Sequence, residues 1–411
     1  MYKSHCAPLY YHPTTSVWER SLFRIPPPAS VPNCCSLWSV KKVTHSGVPR
    51  GTRKTVSLED PSDSLILSNL TFFNFETIPI KENLADMAAL TSHFLLLTWA
   101  LLLVMSVDSS EQASLLRDDF YKDSCPDAES VIKAAVDSEL DKNLKLAAGL
   151  IRMQFHDCFV EGCDASILLD GNDTEKTAPI NSNLIGYEVV DAAKEAVEAI
   201  CPGVVSCSDI LAYAARDSTV KLNGTGWAVQ GGRKDGLFSC AEAAELELPP
   251  PTFNVSQLIE SFARRGLSKK QMVILSGSHT VGVGHCDKFF ERLYNFSETH
   301  FTDPSINASY AEQLKTDCPQ ATFNTTLEIF MDTITPGEFD ANYYKGLSEH
   351  KGLFTSDQSL FDDRRTRKLV KKLMSERVFD RQFGEAMRAM GAVGVRAEGQ
   401  IRRNCRTVNP W

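Results

Sequence analysis

Leu150-Ile-Arg-Met-Gln-Phe-His-Asp-Cys-Phe-Val-Glu-Gly-Cys-Asp-Ala-Ser-Ile-Leu-Leu-Asp170 places several polar side chains in a largely apolar stretch. If the stretch begins as a helix, Arg152 and His156 lie four residues apart on one face, so a guanidinium and an imidazole point into the same space. The same stretch supplies three hard oxygen ligands for a cation: Asp157, Asp164 and Ser166. A candidate base, a fixed positive charge and candidate cation ligands therefore lie within one short stretch of sequence.

Each of these features alone has an ordinary structural explanation. A single histidine in an apolar helix is most often a buried core residue, and aspartates in a loop are usually solvated or cap a helix. Cys158 and Cys163, which lie between Asp157 and Asp164, are compatible with a disulfide or with zinc binding. The combination is more specific than any one of its parts.

The composition indicates a globular protein of an oxidising compartment. The chain has 411 residues, of which 43% are hydrophobic, and its net charge of -9 argues against nucleic-acid binding. Twelve cysteines are too many for a typical reduced cytosolic enzyme. Eight of the cysteines that follow residue 110, an even number, are compatible with four bridges: Cys125, Cys158, Cys163, Cys201, Cys207, Cys286, Cys318 and Cys405.

Asn-x-Ser/Thr glycosylation motifs point to the same compartment. Seven of these sequons occur in the chain: Asn69, Asn172, Asn223, Asn254, Asn295, Asn307 and Asn324. Such a dense set predicts a glycosylated, secreted surface.

An apolar run at Phe94–Val107 has the length of the hydrophobic part of a signal peptide and is too short for a stable membrane span. We therefore expect a signal peptide over 87–110, starting at Met87, and a disordered or untranslated extension over 1–86. A genuine transit or anchor segment over 1–86 is the alternative. The chain ends at Trp411 without a further segment that would carry a vacuolar address, so we expect export to the cell wall space.

From residue 111 onward the apolar residues recur with helical periods, so the fold is predicted to be mainly α with long loops. Ser206 with Asp209 resembles a capping box, and Ser268 with Gln271 resembles another. The predicted helices include one after Pro126, Leu144 to Phe155, Tyr187 to Ile200, Ile210 to Ala215, Gln257 to Arg265, one ending at Leu275, and one through Phe379, Phe383 and Met387.

The stretch around His156 resembles the distal haem motif of the secretory plant peroxidases, class III of the haem peroxidase superfamily. His279, near the end of a buried helix, resembles the proximal haem ligand of that family, and Asp357 resembles the carboxylate that accepts its Nδ1 proton. The match covers almost all of 115–406. It implies a mainly α, two-domain fold in the catalytic region 111–411, with haem between a distal part of about 111–254 plus the C-terminal helix and a proximal part of about 255–374.

The resemblance also implies roles for individual residues. His156, Arg152 and Asn181 would be catalytic, with the Asn181 oxygen accepting the Nδ1 proton of His156. Phe155 would wall the haem cavity, and the Pro249 carbonyl would meet aromatic donors. Because the sequence has no Cys-x-x-Cys-His motif, the cofactor is expected to be one non-covalent haem b.

Two calcium ions and four disulfides are implied in the same way. The distal calcium ligands would be Asp157, Val160, Gly162, Asp164 and Ser166, with Glu175 acting through water. The proximal calcium ligands would be Thr280, Asp332, Thr335 and Asp340. The bridges would be Cys125–Cys201, Cys158–Cys163, Cys207–Cys405 and Cys286–Cys318, with Cys240 left without an assignable partner.

The implied activity is reduction of hydrogen peroxide to water with one-electron oxidation of phenolic donors, such as cell-wall phenolics and lignin precursors, and a role in the response to oxidative stress. The protein would be a secreted monomer. One alternative is a haem-binding cell-wall protein of this fold with little turnover. Another is a zinc or copper hydrolase that uses His156 and His279. His285, a rival haem ligand, is expected at the surface.

Overall fold

The computed structural model describes residues 115–322 and 324–410, and these are mostly helical. The predicted extension, 1–86, and the predicted signal peptide, 87–110, lie outside the described residues. The α-helices of the described part are α1 Ala128–Lys142, α2 Leu146–Val160, α3 Tyr187–Ile200, α4 Cys207–Lys221, α5 Ala241–Glu247, α6 Val255–Arg264, α7 Lys269–Leu275, α8 Phe290–Tyr294, α9 Ala308–Asp317, α10 Asn342–Ser348, α11 Thr355–Asp362, α12 Arg364–Leu373 and α13 Glu376–Met390. The predicted mainly α fold is confirmed.

Helices α1 to α4 form a bundle whose buried faces join into one hydrophobic core. α1 packs against α3 and α4, and α2 packs against α4. Ile132, Val136 and Leu140 recur every four residues of α1, so they share one face, and all three are buried. Each such side chain stabilises the fold by ~1.5–3 kcal/mol when fully buried, so this stripe holds α1 to the bundle.

Helix α2 is enclosed by protein on nearly all sides. Twelve of its 15 residues are buried, and the three that are not are Ala148, Arg152 and Phe155. Their spacing of four and three residues places them on one helical stripe. α2 therefore presents a single narrow accessible face, which begins one turn before Arg152.

The second half of the described chain is arranged around α7. This short helix packs against α6, α12 and α13, and its capping box at Ser268 and Gln271 was predicted from the sequence. At Leu275 the chain tightens into a 3₁₀ turn over Ser276–Thr280, which carries His279 and packs against α10. The buried α7 thus fixes the position at which His279 leaves the core.

A small sheet follows this turn. Strands β1 Val283–His285 and β2 Glu328–Phe330 pair antiparallel, with Gly284 opposite Ile329. A second hydrophobic cluster beside the sheet includes residues of α8 and α9, and it contains the bonded pair Cys286 and Cys318. The segment after His279 is therefore anchored by strand pairing, apolar packing and a covalent bond.

The structure forms the same four disulfides that the resemblance implies. They are Cys125–Cys201, Cys158–Cys163, Cys207–Cys405 and Cys286–Cys318. Among the described cysteines, Cys240 is buried and free. Because Cys158 and Cys163 are bonded to each other, they are not available as zinc thiolates.

A buried ion pair joins α4 to the loop before α5. Arg233 Nη1 lies 2.7 Å from Asp209 Oδ1, and the Tyr121 hydroxyl donates to Asp209 Oδ2 at 2.6 Å. Ser206 caps α4 by accepting the Asp209 N–H, but the Asp209 carboxylate serves Arg233 and Tyr121 instead of returning to Ser206. Ser206 therefore caps α4 as predicted, but the predicted capping box is wrong, because the Asp209 side chain does not accept the Ser206 N–H.

Candidate functional site

Helix α2 holds Arg152 and His156 on adjacent turns of one face. The Arg152 Nε–H donates to His156 Nε2 at 3.0 Å, and Arg152 Nη2 donates to the Ile180 carbonyl at 3.0 Å. The helical spacing predicted from the sequence thus brings the imidazole and the guanidinium into direct contact. The Ile180 carbonyl fixes the guanidinium from the opposite side.

Asn181 sets the protonation of the His156 ring. Its Oδ1 lies 2.5 Å from His156 Nδ1, while its Nδ2 donates to the Glu175 carbonyl at 2.7 Å. Since the amide must offer its nitrogen to a carbonyl, its oxygen faces the imidazole, and Nδ1 must carry the proton. The Nε2 lone pair is then directed toward Arg152, which is the arrangement of a base.

His156 is electrostatically maintained in its neutral form. It is 5% exposed, and burial together with the neighbouring Arg152 charge holds its pKa well below the usual value, although the Asn181 hydrogen bond acts in the opposite direction. A neutral imidazole whose Nε2 carries no proton can accept one from a bound acid.

His279 has the complementary arrangement. Its Nδ1 lies 2.6 Å from Oδ1 of Asp357, which is buried in the first turn of α11. Oδ2 of the same carboxylate accepts the Phe354 N–H at 2.9 Å, so the carboxylate is held in place. Among the described residues His279 Nε2 has no hydrogen-bond partner, and the side chain is 41% exposed. An imidazole with its Nδ1 fixed and its Nε2 available is arranged to bind a metal.

The segment that follows His279 approaches helix α2 on the stripe that carries Arg152. Arg152 has an exposed surface, yet desolvation by surrounding protein lowers its pKa, a combination typical of a side chain inside a cavity. Gly282, with φ of 88°, lies where an added Cβ would approach the Ala148 Cβ to 3.3 Å, so the proximal segment contacts the start of the accessible α2 stripe. The predicted haem fits these residues, because the chain offers a metal-binding imidazole at His279 and a separate Arg152–His156 pair on the accessible stripe of α2.

Phe155 and Pro249, the residues expected to wall the haem cavity and to meet aromatic donors, are both half-buried. Phe155 is half-buried on the accessible stripe of α2, and its ring meets His156 edge-on at 5.4 Å between centroids. Pro249 is half-buried in the segment after α5, whose Pro251 carbonyl accepts the Ser356 N–H beside Asp357. The segment that contains Pro249 is thereby joined by a hydrogen bond to the start of α11, which carries Asp357.

The implied distal calcium ligands converge behind His156. Asp157, Asp164 and Glu175 are buried, and burial followed by a neighbouring carboxylate raises the pKa of Asp157 and Glu175 well above the usual values. Asp157 Oδ1 and Glu175 Oε2 have no hydrogen-bond partner within the described part of the chain. Ser166 is buried beside them, Val160 is the last residue of α2, and Gly162 lies in the turn that follows. Carboxylates crowded together in this way fit a bound cation.

The implied proximal ligands converge around one hydroxyl. Thr280 Oγ1 lies 3.2 Å from Asp332 Oδ2, 3.1 Å from Asp340 Oδ1 and 3.4 Å from the Glu338 carbonyl. Thr335 Oγ1 donates to Asp340 Oδ2 at 2.7 Å. One hydroxyl proton cannot satisfy three acceptors, so this cluster of oxygens fits a hard cation.

Other metal arrangements find no support in the described residues. No group of three or more His, Cys, Asp or Glu side chains there is arranged to hold a metal ion by itself. The implied proximal set has two carboxylates, and the implied distal set has two direct carboxylate ligands with Glu175 acting through water, so the remaining ligands in both sets are hydroxyl or carbonyl oxygens. The expected surface position of His285 is wrong, because the residue is half-buried in β1 and its Nδ1 atom is enclosed.

Sequence reasoning assigned no role to Tyr343. Its hydroxyl donates to Asp357 Oδ1 at 2.9 Å, on the same oxygen that faces His279. The residue lies in α10 and its partner in α11, so only the packing of these helices creates the contact. The pair Tyr343-Tyr344 in the sequence gives no sign of which hydroxyl reaches the carboxylate.

Comparison with known proteins assigns the chain to a family. The family model described as Peroxidase matches residues 130–376. Peroxidase 5 of Vitis vinifera is 45% identical over 324 residues, covering 77% of this chain and 98% of that protein. Peroxidase 66 of Arabidopsis thaliana is 46% identical, covering 71% of this chain and 91% of that protein, and Peroxidase 71 of the same plant is 42% identical, covering 79% and 100%.

The helical fold and its two hydrogen-bonded histidines therefore belong to an oxidoreductase of the haem peroxidase class. The chain belongs to the class III plant peroxidase family. The predicted family, fold class and enzyme activity are confirmed, and the hydrolase alternative is wrong. Within the described residues, no helix is long and apolar enough to cross a membrane.

Proposed function

We propose that this peroxidase binds one haem b through His279 and reduces hydrogen peroxide to water at the Arg152–His156 pair, while it oxidises phenolic donors one electron at a time. Cell-wall phenolics and lignin precursors are the proposed donors. The observation that carries the proposal is the opposite arrangement of the two histidines. His156 directs a lone pair toward a guanidinium, whereas His279 has its Nδ1 on Asp357 and its Nε2 available.

His156 is the proposed proton acceptor. Its Nε2 takes a proton from hydrogen peroxide and returns it to the departing oxygen, so that this oxygen leaves as water. Asn181 holds the other proton on Nδ1 and thereby keeps Nε2 basic. When bound, haem supplies the redox-active iron at which the O–O bond is broken.

Arg152 is the proposed stabiliser of developing negative charge. Its guanidinium contacts His156 and is held by the Ile180 carbonyl, so it requires little reorganisation to face the departing oxygen. A preorganised donor of this kind acts on the transition state more than on the bound reactant.

Asp357 is proposed to make the His279 ring electron-rich. Its carboxylate accepts the Nδ1 proton at 2.6 Å in an environment that excludes water, which increases the basicity of Nε2. A basic axial imidazole favours ferric iron and donates electron density toward the O–O bond. Phe155 is proposed to wall the haem cavity, and the Pro249 carbonyl is proposed to accept a hydrogen bond from phenolic donors.

Two calcium ions are proposed to hold the two histidines in place. The distal ion would lie between Asp157 and Asp164, with the carbonyls of Val160 and Gly162, the Ser166 hydroxyl, and Glu175 through water. The proximal ion would lie among Thr280, Asp332, Thr335 and Asp340. Each set contains the residue that directly follows a histidine, so each ion would restrain the adjacent imidazole.

We also propose that the enzyme is a secreted monomer of the cell wall space. Four disulfides support an oxidising compartment. In the proposed organisation the catalytic region 111–411 has a distal part of about 111–254 plus the C-terminal helix and a proximal part of about 255–374. The mature chain would start shortly after Val107.

Purified enzyme loaded with haem tests the proposal. We expect a Soret absorption band that changes on addition of hydrogen peroxide and returns on addition of guaiacol, with two donor molecules oxidised per peroxide. His279→Ala should lose the band because the iron loses its axial ligand. A Soret band retained unchanged in His279→Ala would contradict the assignment of this ligand.

A further inference from the structure

Asp357 Oδ1 receives two hydrogen-bond donors. His279 Nδ1 lies 2.6 Å from this oxygen, and the Tyr343 hydroxyl lies 2.9 Å from it. Asp357 and Tyr343 are both buried, at 1% and 3% exposure, so solvent does not compete for the carboxylate. The oxygen that is proposed to draw a proton from His279 is therefore shared with a phenol.

Because Tyr343 also donates to Asp357 Oδ1, the carboxylate is a weaker acceptor for the Nδ1 proton of His279. A hydrogen bond to an ionised acceptor is strong because the donor stabilises its negative charge. A phenol at neutral pH is protonated, so Tyr343 acts here as the donor. Charge stabilised by Tyr343 is less available to the Nδ1 proton of His279, and that proton remains closer to the imidazole.

We infer that Tyr343 is a positioning residue that limits proton transfer from His279 to Asp357 and thereby sets how strongly His279 donates electrons to bound haem iron. This inference rests on the proposed ligation of iron by His279. The Tyr343 hydroxyl is a second donor that competes with the His279 Nδ1–H for Asp357 Oδ1. The basicity of Nε2 is then set by the competition of two donors for one oxygen.

The surrounding contacts separate this electronic role from a purely structural one. Asp357 Oδ2 is held by the Phe354 N–H at 2.9 Å, so the carboxylate keeps its orientation without the phenol hydroxyl. The Tyr343 ring meets His279 edge-on at 6.1 Å and packs against Tyr344, and both contacts survive loss of the hydroxyl alone. Tyr343→Phe therefore removes one hydrogen bond and retains the ring contacts.

Tyr344 provides a matched control. It is fully buried in the same turn of α10, and its hydroxyl donates to the Val273 and Ile274 carbonyls at 2.9 and 3.1 Å. Tyr344→Phe also deletes a buried phenol hydroxyl of the proximal side, but it leaves Asp357 untouched. A general loosening of the packing affects both variants, whereas loss of the competing donor affects Tyr343→Phe alone.

The test uses the full chain loaded with haem and two readouts besides activity. In Tyr343→Phe we expect a more negative ferric/ferrous reduction potential and an iron–histidine stretching band of the ferrous protein at higher wavenumber, because His279 becomes more anionic. Tyr344→Phe should match the parent in both readouts. In an Asp357→Ala background, Tyr343→Phe should shift neither readout, since the shared acceptor is gone.

Unshifted readouts in Tyr343→Phe, or equal shifts in Tyr343→Phe and Tyr344→Phe, would overturn the inference while leaving iron ligation by His279 intact. A parent protein without an iron–histidine band that depends on His279 would overturn the ligation and this inference together.

Discussion

At the scale of single residues, a chain of hydrogen bonds determines what His156 can do. The Glu175 carbonyl orients the Asn181 amide, the amide oxygen faces Nδ1, and Nε2 is left as the acceptor for the Arg152 N–H. The sequence predicted the Arg152–His156 contact because helical spacing alone produces it. The contribution of the Glu175 carbonyl was not predictable, because it requires the main chain of a separate 3₁₀ turn.

Asn181→Val tests this chain of contacts. We expect the second-order rate constant for hydrogen peroxide to fall, since the imidazole loses the acceptor that fixes its tautomer, but to fall less than on loss of His156 itself. Stopped-flow absorbance of the haem-loaded variant measures the rate constant. A decrease as large as that of His156→Ala would show that Asn181 does more than fix the tautomer.

At the scale of secondary-structure elements, the bounds of a helix are predictable from the sequence when its buried residues are apolar and lie on one face. α3 was predicted with its observed bounds, because its apolar face is well separated and Cys201-Pro-Gly ends it. α4 extends to Lys221, beyond the predicted end at Ala215. Its last turns bury polar residues, including Asp217, Ser218 and Thr219, so no apolar period marks them.

The start of α6 was missed for a different reason. The predicted start was Gln257, whereas the helix begins at Val255. Asn254 caps it by accepting the N–H groups of Ser256 and Gln257, and the Gln257 side chain accepts the Asn254 N–H at 2.9 Å. The capping residue follows the prolines at 249–251, and no apolar period marks the first turn of the helix.

Asn254→Ala tests the energetic role of this cap. We expect unfolding to become easier by about 1 kcal/mol, because two N–H groups of the first turn lose their acceptor. Asn254→Asp is the matched control, since it preserves an acceptor while also removing the glycosylation motif. Denaturant unfolding of protein from a host without N-glycosylation gives both values, and equal losses in the two variants would contradict the cap.

At the scale of the whole molecule, a disulfide and a buried ion pair join segments that are far apart in the sequence. Cys207 and Cys405 are 198 residues apart in sequence, and their bridge joins α4 to the end of the described chain. No spacing rule selects this pairing, which came from the family resemblance. The Asp209–Arg233 ion pair adds a buried tie from α4 to the loop before α5.

Replacing both Cys207 and Cys405 by serine should lower the free energy of unfolding by about 5 kcal/mol, because the unfolded chain gains the entropy of a long open loop. The corresponding double variant of Cys286 and Cys318, which are 32 residues apart, should lose about 4 kcal/mol. Denaturant unfolding compares the two. A larger loss for the shorter loop would show that local packing, and not loop entropy, sets the contribution.

Calcium removal tests whether the two proposed ions restrain the histidines. After exhaustive chelation we expect a changed haem absorption spectrum and slower reaction with peroxide, because Asp157 and Thr280 directly follow His156 and His279. Calcium should restore both properties, whereas magnesium should not, since it demands a smaller octahedral site. An unchanged spectrum and an unchanged rate would contradict both assignments.

The reaction of His156→Ala with hydrogen peroxide tests the central claim most directly. The variant should bind haem through His279 and show a Soret band, because the proximal contacts are untouched. Its stopped-flow rate constant for peroxide should be lower than that of the parent by at least the ~10²–10⁴-fold typical of general acid–base catalysis. A rate constant equal to that of the parent would contradict the mechanism.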